Sequence, residues 1–184
     1  MPTPFDPQLT LYTQVWAMLE ASPAFLEAFP KPALRIKSTV PKAGQRDEEL
    51  RAPADAAKIK IDVAEEIDND RAPKVFGQNS TTFTAAVVDY KVPLRLALTI
   101  KIVHESTKLQ DQTPKEAAVR GALLARGRTL GLAWVTDSIL RGTKRREETS
   151  PDTNNQRRTI SLMRLEVTAR PKLSQLTAGS LPTP

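Results

Sequence analysis

The sequence predicts an α+β domain: a mostly antiparallel sheet covered by N-terminal helices and one central helix, with long polar loops and an extended C-terminal hairpin. Three observations predict it. Apolar residues near the start recur at helical spacing, Leu9, Tyr12, Val15, Trp16 and Leu19. Later stretches alternate apolar and polar residues with a period of two, as half-buried strands do. Between two such stretches, Thr113-Pro114-Lys115-Glu116 has the form of a capping box with proline at the first helical position.

The first helix has Pro7 in its first turn and ends at Ser22-Pro23, where Ser22 reads as the N-cap of a second, short helix carrying Phe25, Leu26 and Phe29. Pro30 and Pro32 stop that helix. Tyr12, Trp16, Phe25 and Phe29 are the predicted core anchors, and the helices that carry them are expected to cover one sheet face. Leu34, Ile36 and Val40 then alternate with Arg35, Lys37 and Thr39, and Ile59, Ile61 and Val63 alternate with Lys58, Lys60 and Asp62, giving two strands. The residues between them, 41–57, lack periodicity and read as a long loop, and 67–80 as another.

Val87–Val103 is the longest strand-like region, with Leu94, Leu96, Leu98, Ile100 and Ile102 on one side. Pro93 cannot donate to a central ladder, so a bulge or sheet edge is expected there. The helix behind the capping box runs from Pro114 to about Arg126, with Ala118, Val119, Ala122 and Leu123 facing inward. Gly127 and Gly131 suit its termination. Val135–Leu140 and Thr159–Ala169 form the closing hairpin, separated by a long polar loop, 141–158. A single domain is expected over 1–172, with a loose tail at 173–184.

Composition narrows function by exclusion. The 184 residues contain no cysteine, which removes disulfides and thiol chemistry. Fifteen prolines against seven glycines fall mostly between segments, where they punctuate the chain. No apolar run reaches the roughly 20 residues of a membrane span, and the start lacks the pattern of a secretory signal. A soluble, cytoplasmically made protein without a membrane partner is therefore expected. His104 is the only histidine, so no second histidine or cysteine completes a metal site. Asp62, Glu65, Glu66, Asp68 and Asp70 are acidic but lack the spacing of a calcium loop, and a solvated acidic loop is the expected reading. Phosphate-cradling glycine loops are absent. No catalytic residue, metal ligand or cofactor is expected.

Charge is concentrated rather than spread. Over 141–172, nine lysines and arginines (Arg141, Lys144, Arg145, Arg146, Arg157, Arg158, Arg164, Arg170 and Lys172) face four acids (Glu147, Glu148, Asp152 and Glu166). The whole chain carries only +6, so the remainder is close to neutral. Arg141, Lys144, Arg145, Arg146, Arg157 and Arg158 thus define a basic arm. Three readings stay open: a solvated hairpin tip, an arm pairing with carboxylates of a neighbouring subunit, or a salt-sensitive contact to phosphates. The arm lacks interleaved aromatics, which argues against base stacking.

The phrase Leu11-Tyr12-x-x-Val15-Trp16-Ala17-x-Leu19-Glu20-Ala21-Ser22-Pro23-Ala24-Phe25, followed by Arg35-Ile36-Lys37 entering a strand, resembles the opening of tail-terminator and neck proteins of long-tailed bacteriophages. The strand–helix–strand–strand order of 93–169 is similar as well. That resemblance implies a virion structural protein, a subunit of a homo-oligomeric, usually hexameric ring on the tail tube. Its implied partners are further copies of itself, the tail tube protein, the head–tail connector protein and DNA passing through the lumen. Its implied location is the tail or neck of the virion, assembled in the host cytoplasm. The proline-rich start and Arg-rich hairpin depart from that pattern. The alternative function is a sequence-independent nucleic-acid-binding module using the arm 141–158. A metal-dependent hydrolase centred on Asp62 and Glu65 ranks last.

Overall fold

The computed structural model describes residues 5–37, 57–62, 65–67, 93–104, 106–149 and 157–171. In chain order these form α1 (Pro7–Glu20), α2 (Pro23–Ala28), a 3-10 turn (Pro32–Leu34), β1 (Arg35–Lys37), β2 (Lys58–Ile61), β3 (Glu65–Glu66), β4 (Leu94–His104), α3 (Leu109–Leu124), β5 (Val135–Leu140), β6 (Lys144–Thr149) and β7 (Arg157–Ala169). The fold is α+β, as expected.

Two long antiparallel strands form the spine. β4 and β7 pair without interruption from Leu94↔Ala169 to His104↔Thr159. Each flanks its partner on one edge and carries an interrupted strand on the other. β2 and β3 both pair antiparallel with β4, while β5 and β6 both pair antiparallel with β7. β1 adds in parallel to β2. Because side chains alternate across a sheet, this register puts Ile59, Ile61, Leu96, Leu98, Ile100, Ile102, Met163, Leu165 and Val167 on one face, all within 2% of full burial. The helices pack on that face.

Local chemistry explains the helices. The Asp6 carboxylate accepts from the backbone N–H of Gln8 (2.9 Å) and Leu9 (3.1 Å), and Pro7 follows in the first turn, so α1 starts there. Its inner stripe is Leu11, Tyr12, Val15, Trp16, Met18 and Leu19. Leu9, expected on that stripe, is instead exposed. Ser22 caps α2 through the Phe25 N–H, with Pro23 behind it. Tyr12, Trp16, Phe25 and Phe29 are all buried, and the Phe25 and Phe29 rings lie 5.1 Å apart. Phe29 sits just past the helix end, whereas Leu26 is partly exposed.

Four expectations change. The strand β1 has the opposite phase: Arg35 and Lys37 register with buried Ile59 and Ile61, so they face the helices, while Ile36 joins a small cluster with Val103, Ile160 and Leu162 on the other face. The reason is local. Arg35 donates to the carbonyls of Phe29 (2.9 Å) and Pro30 (3.2 Å) and lies over the Phe25 ring. Lys37 pairs with Glu20 and lies over the Trp16 ring. Both stems cover apolar surface while their charges are satisfied at the sheet edge.

The capping box is the second. α3 begins at Leu109, five residues before Pro114, which lies inside the helix. Ser106 organises this start: its hydroxyl accepts from the Lys108 N–H and donates to the Asp111 carboxylate, and its carbonyl accepts from the Gln112 side chain. Thr113 donates back to the Leu109 carbonyl instead of capping. Third, β4 starts just after Pro93, so proline marks the strand's entry. Fourth, 141–158 is not one loop. Lys144–Thr149 is a strand registered against Arg157–Leu162, because β7 extends beyond β5 and offers a free ladder edge. Val40, Val63, Asp68, Asp70 and the ranges 41–56, 68–80, 87–92, 150–156 and 172–184 lie outside the described residues.

After α3 the chain reverses through Gly127 and Gly131, both at positive φ (69° and 70°), with Leu130 at φ 53° between them. Gln14 of α1 donates to the Leu130 carbonyl (3.1 Å), and the buried Leu130 side chain anchors the turn. Phe5 meets Trp134 edge-on at 5.4 Å, closing the core below β5.

Trp16 is 3% exposed and touches the sheet core, so Trp16→Ala is expected to cost about 3–5 kcal/mol in urea unfolding. Its indole nitrogen is buried without an acceptor, so Trp16→Phe is expected to cost much less. Equal losses for the two variants would contradict this packing.

Candidate functional site

The six cations of the basic arm do not form one patch. The β6–β7 register divides them between the two sheet faces. Arg145 opposes Ser161 on the helix-covered face. Lys144 and Arg146 oppose Leu162 and Ile160 on the other face, where Arg158 opposes Glu148. Arg157 opposes Thr149 near the tip.

Most of this charge is already matched. Arg141 donates to Glu166 (2.8 Å), and that hydrogen bond holds the Glu166 carboxyl below the usual carboxylate range against a smaller opposing effect of burial. Arg164 also approaches Glu166, at 3.6 Å. Arg146 and Arg158 share Glu148, at 2.5 and 3.3 Å. Arg157 lies 3.9 Å from Glu147, both well exposed, so that pair contributes little. Among the described residues only Lys144 of the six has no carboxylate at ion-pair distance. The arm is largely self-neutralised along its length.

Arg145 is the exception in kind, because it points inward. It donates through two nitrogens to both carboxylate oxygens of Glu116, a bidentate pair that ties β6 to α3. Glu116 is 5% exposed and occupies the inner stripe of α3 with Val119 and Leu123. Its Oε1 also accepts from the Ser161 hydroxyl (2.5 Å), and Ser161 Oγ lies 3.0 Å from His104 Nε2. Since the serine hydrogen goes to the carboxylate, Ser161 accepts from an Nε2–H tautomer of His104. The chain is therefore His104 to Ser161 to Glu116, closed by Arg145.

Electrostatics follow from this geometry. Burial lowers the His104 pKa to about 4; Glu116 pulls it upward, while Lys115 and Arg145 push it further down. The imidazole is neutral at pH 7. Burial alone would raise the Glu116 carboxyl, but hydrogen bonds from Arg145 and Ser161 and the Arg145 charge outweigh it and hold the pKa below the usual range.

A serine, a histidine and a carboxylate in contact invite comparison with a hydrolytic triad. The order is wrong for one. A triad needs histidine between serine and acid to accept the hydroxyl proton. Here serine sits in the middle, donates to the carboxylate and is fully buried, so its hydroxyl does not face solvent. The group is a polar clamp across β4, β7, β6 and α3. Strand alternation contains its signal: Ser161 is in phase with Met163 and Leu165, His104 with Ile100 and Ile102, and Glu116 lies one turn before Val119. Three polar residues at core positions imply a shared network.

The described acidic residues of the predicted cluster, Asp62, Glu65 and Glu66, do not converge. Asp62 lies 3.7 Å from Lys60, while Glu65 and Glu66 are exposed and, as strand neighbours, point to opposite faces. Among the described residues no group of three potential ligands forms a metal site, and no helix is long and apolar enough to cross a membrane.

The clamp makes stability depend on pH. His104 has a folded pKa below its unfolded value near 6.5, so below that pH the unfolded chain binds a proton that the folded chain does not. Stability is full above about pH 6.5 and falls as pH drops toward 4, by about 3 kcal/mol in all. Urea midpoints measured from pH 7.5 to 4.5 are expected to show that slope, and His104→Gln to flatten it. An unchanged slope in the variant would assign the effect elsewhere. Glu116→Gln is expected to cost about 2 kcal/mol by leaving the Arg145 guanidinium with a neutral partner.

No protein-family model matches the chain, and no curated protein matches it either. Among solved structures, the chain is similar in fold to a chain from the virion of a native gene transfer agent particle. That alignment has a TM-score of 0.57 at 13% identity and covers 91% of this chain and all of the other. At that identity the likeness establishes a shared fold.

Proposed function

We propose that this chain is a structural protein of a virion, a subunit of a ring that terminates a tail tube and joins it to the head-side connector. The observation that carries the reading is the fold shared along nearly the whole chain with a component of a virion particle. The N-terminal phrase running through Trp16, Ser22-Pro23 and Arg35-Ile36-Lys37 resembles tail-terminator and neck proteins, and it agrees with that fold. Six copies in a closed ring are the expected stoichiometry, with the tube protein below, the connector above and DNA in the lumen.

Two features support assembly with further copies. A ring needs two different complementary patches on each subunit. On one side, Leu123, Leu124, Leu130, Leu140 and Leu165 line an open cleft of about 230 Å³ between the end of α3 and β5. Leu124 is exposed at its rim, and Leu109 is exposed at the other end of α3. The opposite end of the sheet terminates in β1. Apolar sockets and open strand edges at opposite ends suit a head-to-tail contact.

Light scattering on the purified protein, with negative-stain images in the presence and absence of tail tubes, tests this. A mass near six subunits or caps on tube ends is the expected result. A monomer at every concentration that leaves tube ends bare would overturn the reading. Leu124→Asp, on an exposed helix position, is expected to shift the mass toward monomer while leaving the unfolding midpoint nearly unchanged.

A further inference from the structure

β6 is an edge strand whose charges change sign halfway along. One of its edges pairs with β7, and among the described residues no strand pairs with the other. Lys144, Arg145, Arg146 and Glu147 are all exposed. The backbone N–H and C=O groups along the outer edge are therefore open to a further strand. Charged edges usually repel a second strand, so the order of the charges decides what can add.

Along β6 the cations Lys144, Arg145 and Arg146 precede the acids Glu147 and Glu148. A strand that runs the other way, acids first, matches this order, and β6 of a second copy is such a strand. Residues directly opposite in a sheet share a face. A two-fold axis perpendicular to the sheet must therefore pass through one residue of β6, and both helix layers then lie on the same side. With the axis at Arg146, Lys144 stands opposite Glu148 of the partner subunit and Arg145 opposite Glu147 of the partner subunit. Symmetry repeats both pairs, so opposite charges meet everywhere except at the axis. There Arg146 meets its own copy, and each is already held by the Glu148 of its own strand at 2.5 Å.

Neighbouring registers are poorer. An axis at Arg145 sets Lys144 opposite an arginine and leaves no pair of opposite charges. An axis at Glu147 keeps only the Arg146 and Glu148 pair and sets Glu147 against itself. Parallel addition in register opposes like with like throughout. The side chains also have capacity for the favoured register. Arg145 commits two nitrogens to Glu116 and retains further N–H donors. Glu147 lies 3.9 Å from Arg157 in a loose, exposed pair.

We propose that β6 is a self-recognition edge: two copies of this chain join their sheets by antiparallel β6–β6 pairing about a two-fold axis at Arg146. The edge hydrogen bonds supply the contact, and the sign change along the strand selects its partner and register. A short edge buries little area, so the pair is reversible.

The chain has no cysteine, so an introduced one reports its own position. In this register Arg146→Cys meets its copy at a Cα separation of about 4.5–5.5 Å, within disulfide range. Lys144→Cys lies about 14 Å from its copy, outside that range. With oxidised glutathione as the oxidant, Arg146→Cys is expected to form covalent dimers about tenfold faster than Lys144→Cys on non-reducing gels. Charge provides the second readout. Adding Lys144→Glu or Glu148→Lys to Arg146→Cys opposes like charges and is expected to slow the dimer about fivefold, and mixing the two variants is expected to recover the rate. Thermal midpoints close to wild type check that each variant is folded. Equal rates at the two cysteine positions, no covalent dimer from Arg146→Cys, or no recovery on mixing would each overturn the proposal.

The inference goes beyond the ring reading and does not rest on it. In a Leu124→Asp background, which lacks the proposed ring contact, the same ratio of rates is expected. A missing ring or bare tube ends would therefore leave the pairing standing. A ratio lost in that background would overturn it, by assigning the link to subunits that the ring contact brings together.

Discussion

The structure depends on one ladder, the uninterrupted antiparallel pairing of β4 with β7. Its two strands are separated by more than fifty residues of sequence, so closing it costs considerable chain entropy before the pairing is rewarded. That reward is the row of apolar pairs Leu96↔Val167, Leu98↔Leu165 and Ile100↔Met163, all essentially buried. A slip of one residue would turn these inward side chains to the opposite face and bring Arg164 and Lys101 under the helices. The register is therefore held by burial, and every other element is placed by it. β2 and β5 extend the apolar face, α1 and α3 cover it, and β6 forms only because β7 reaches past β5.

The clamp is a second constraint derived from the first. Ser161 and His104 fall on the inner face because the ladder's phase puts them there, next to Ile102 and Met163. Left unpaired under a helix, each would cost a desolvation penalty of about 1–3 kcal/mol. Glu116 resolves this by accepting from Ser161 and needs a countercharge in turn, which Arg145 supplies from the strand edge. A basic residue on a peripheral strand thus completes a core network. Charged pairs of this type rarely add much net stability, but they penalise alternatives in which β6 is shifted or detached.

Much of this architecture was legible from periodicity. The helical stripe of α1, the Ser22-Pro23 junction, the span of β5 and the inward set of β4 and β7 follow from spacing alone, because burial selects side chains directly. Elements held by something other than apolar burial were not legible. Lys144-Arg145-Arg146-Glu147-Glu148-Thr149 has no apolar residue to mark it as a strand, and only the overhanging edge of β7 makes it one. The start of α3 is set by Ser106 and Asp111, four residues before the more familiar Thr-Pro-x-Glu pattern. β1 inverts its phase because Arg35 and Lys37 find carbonyls, aromatic faces and Glu20 on the helix side. For the basic arm, the sequence carries the amount of charge but not its pairing, which depends on strand register. Counting cations along 141–158 therefore overstates the free charge at the tip.

This contrast bears on how a small sheet tolerates an unfavourable row of cations. Lys60 opposite Lys101 disfavours the β2–β4 pairing by a few tenths to about 1 kcal/mol. The same backbones carry Ile59↔Ile102 and Ile61↔Ile100 on the other face, and each fully buried isoleucine contributes about 1.5–3 kcal/mol. The apolar side therefore outweighs the repulsion several-fold, and Asp62, 3.7 Å from Lys60, offsets part of it on the charged face. A strand pair with both faces in water could not hold that pairing. Burial on one face gives the other face freedom to keep a pairing that costs stability.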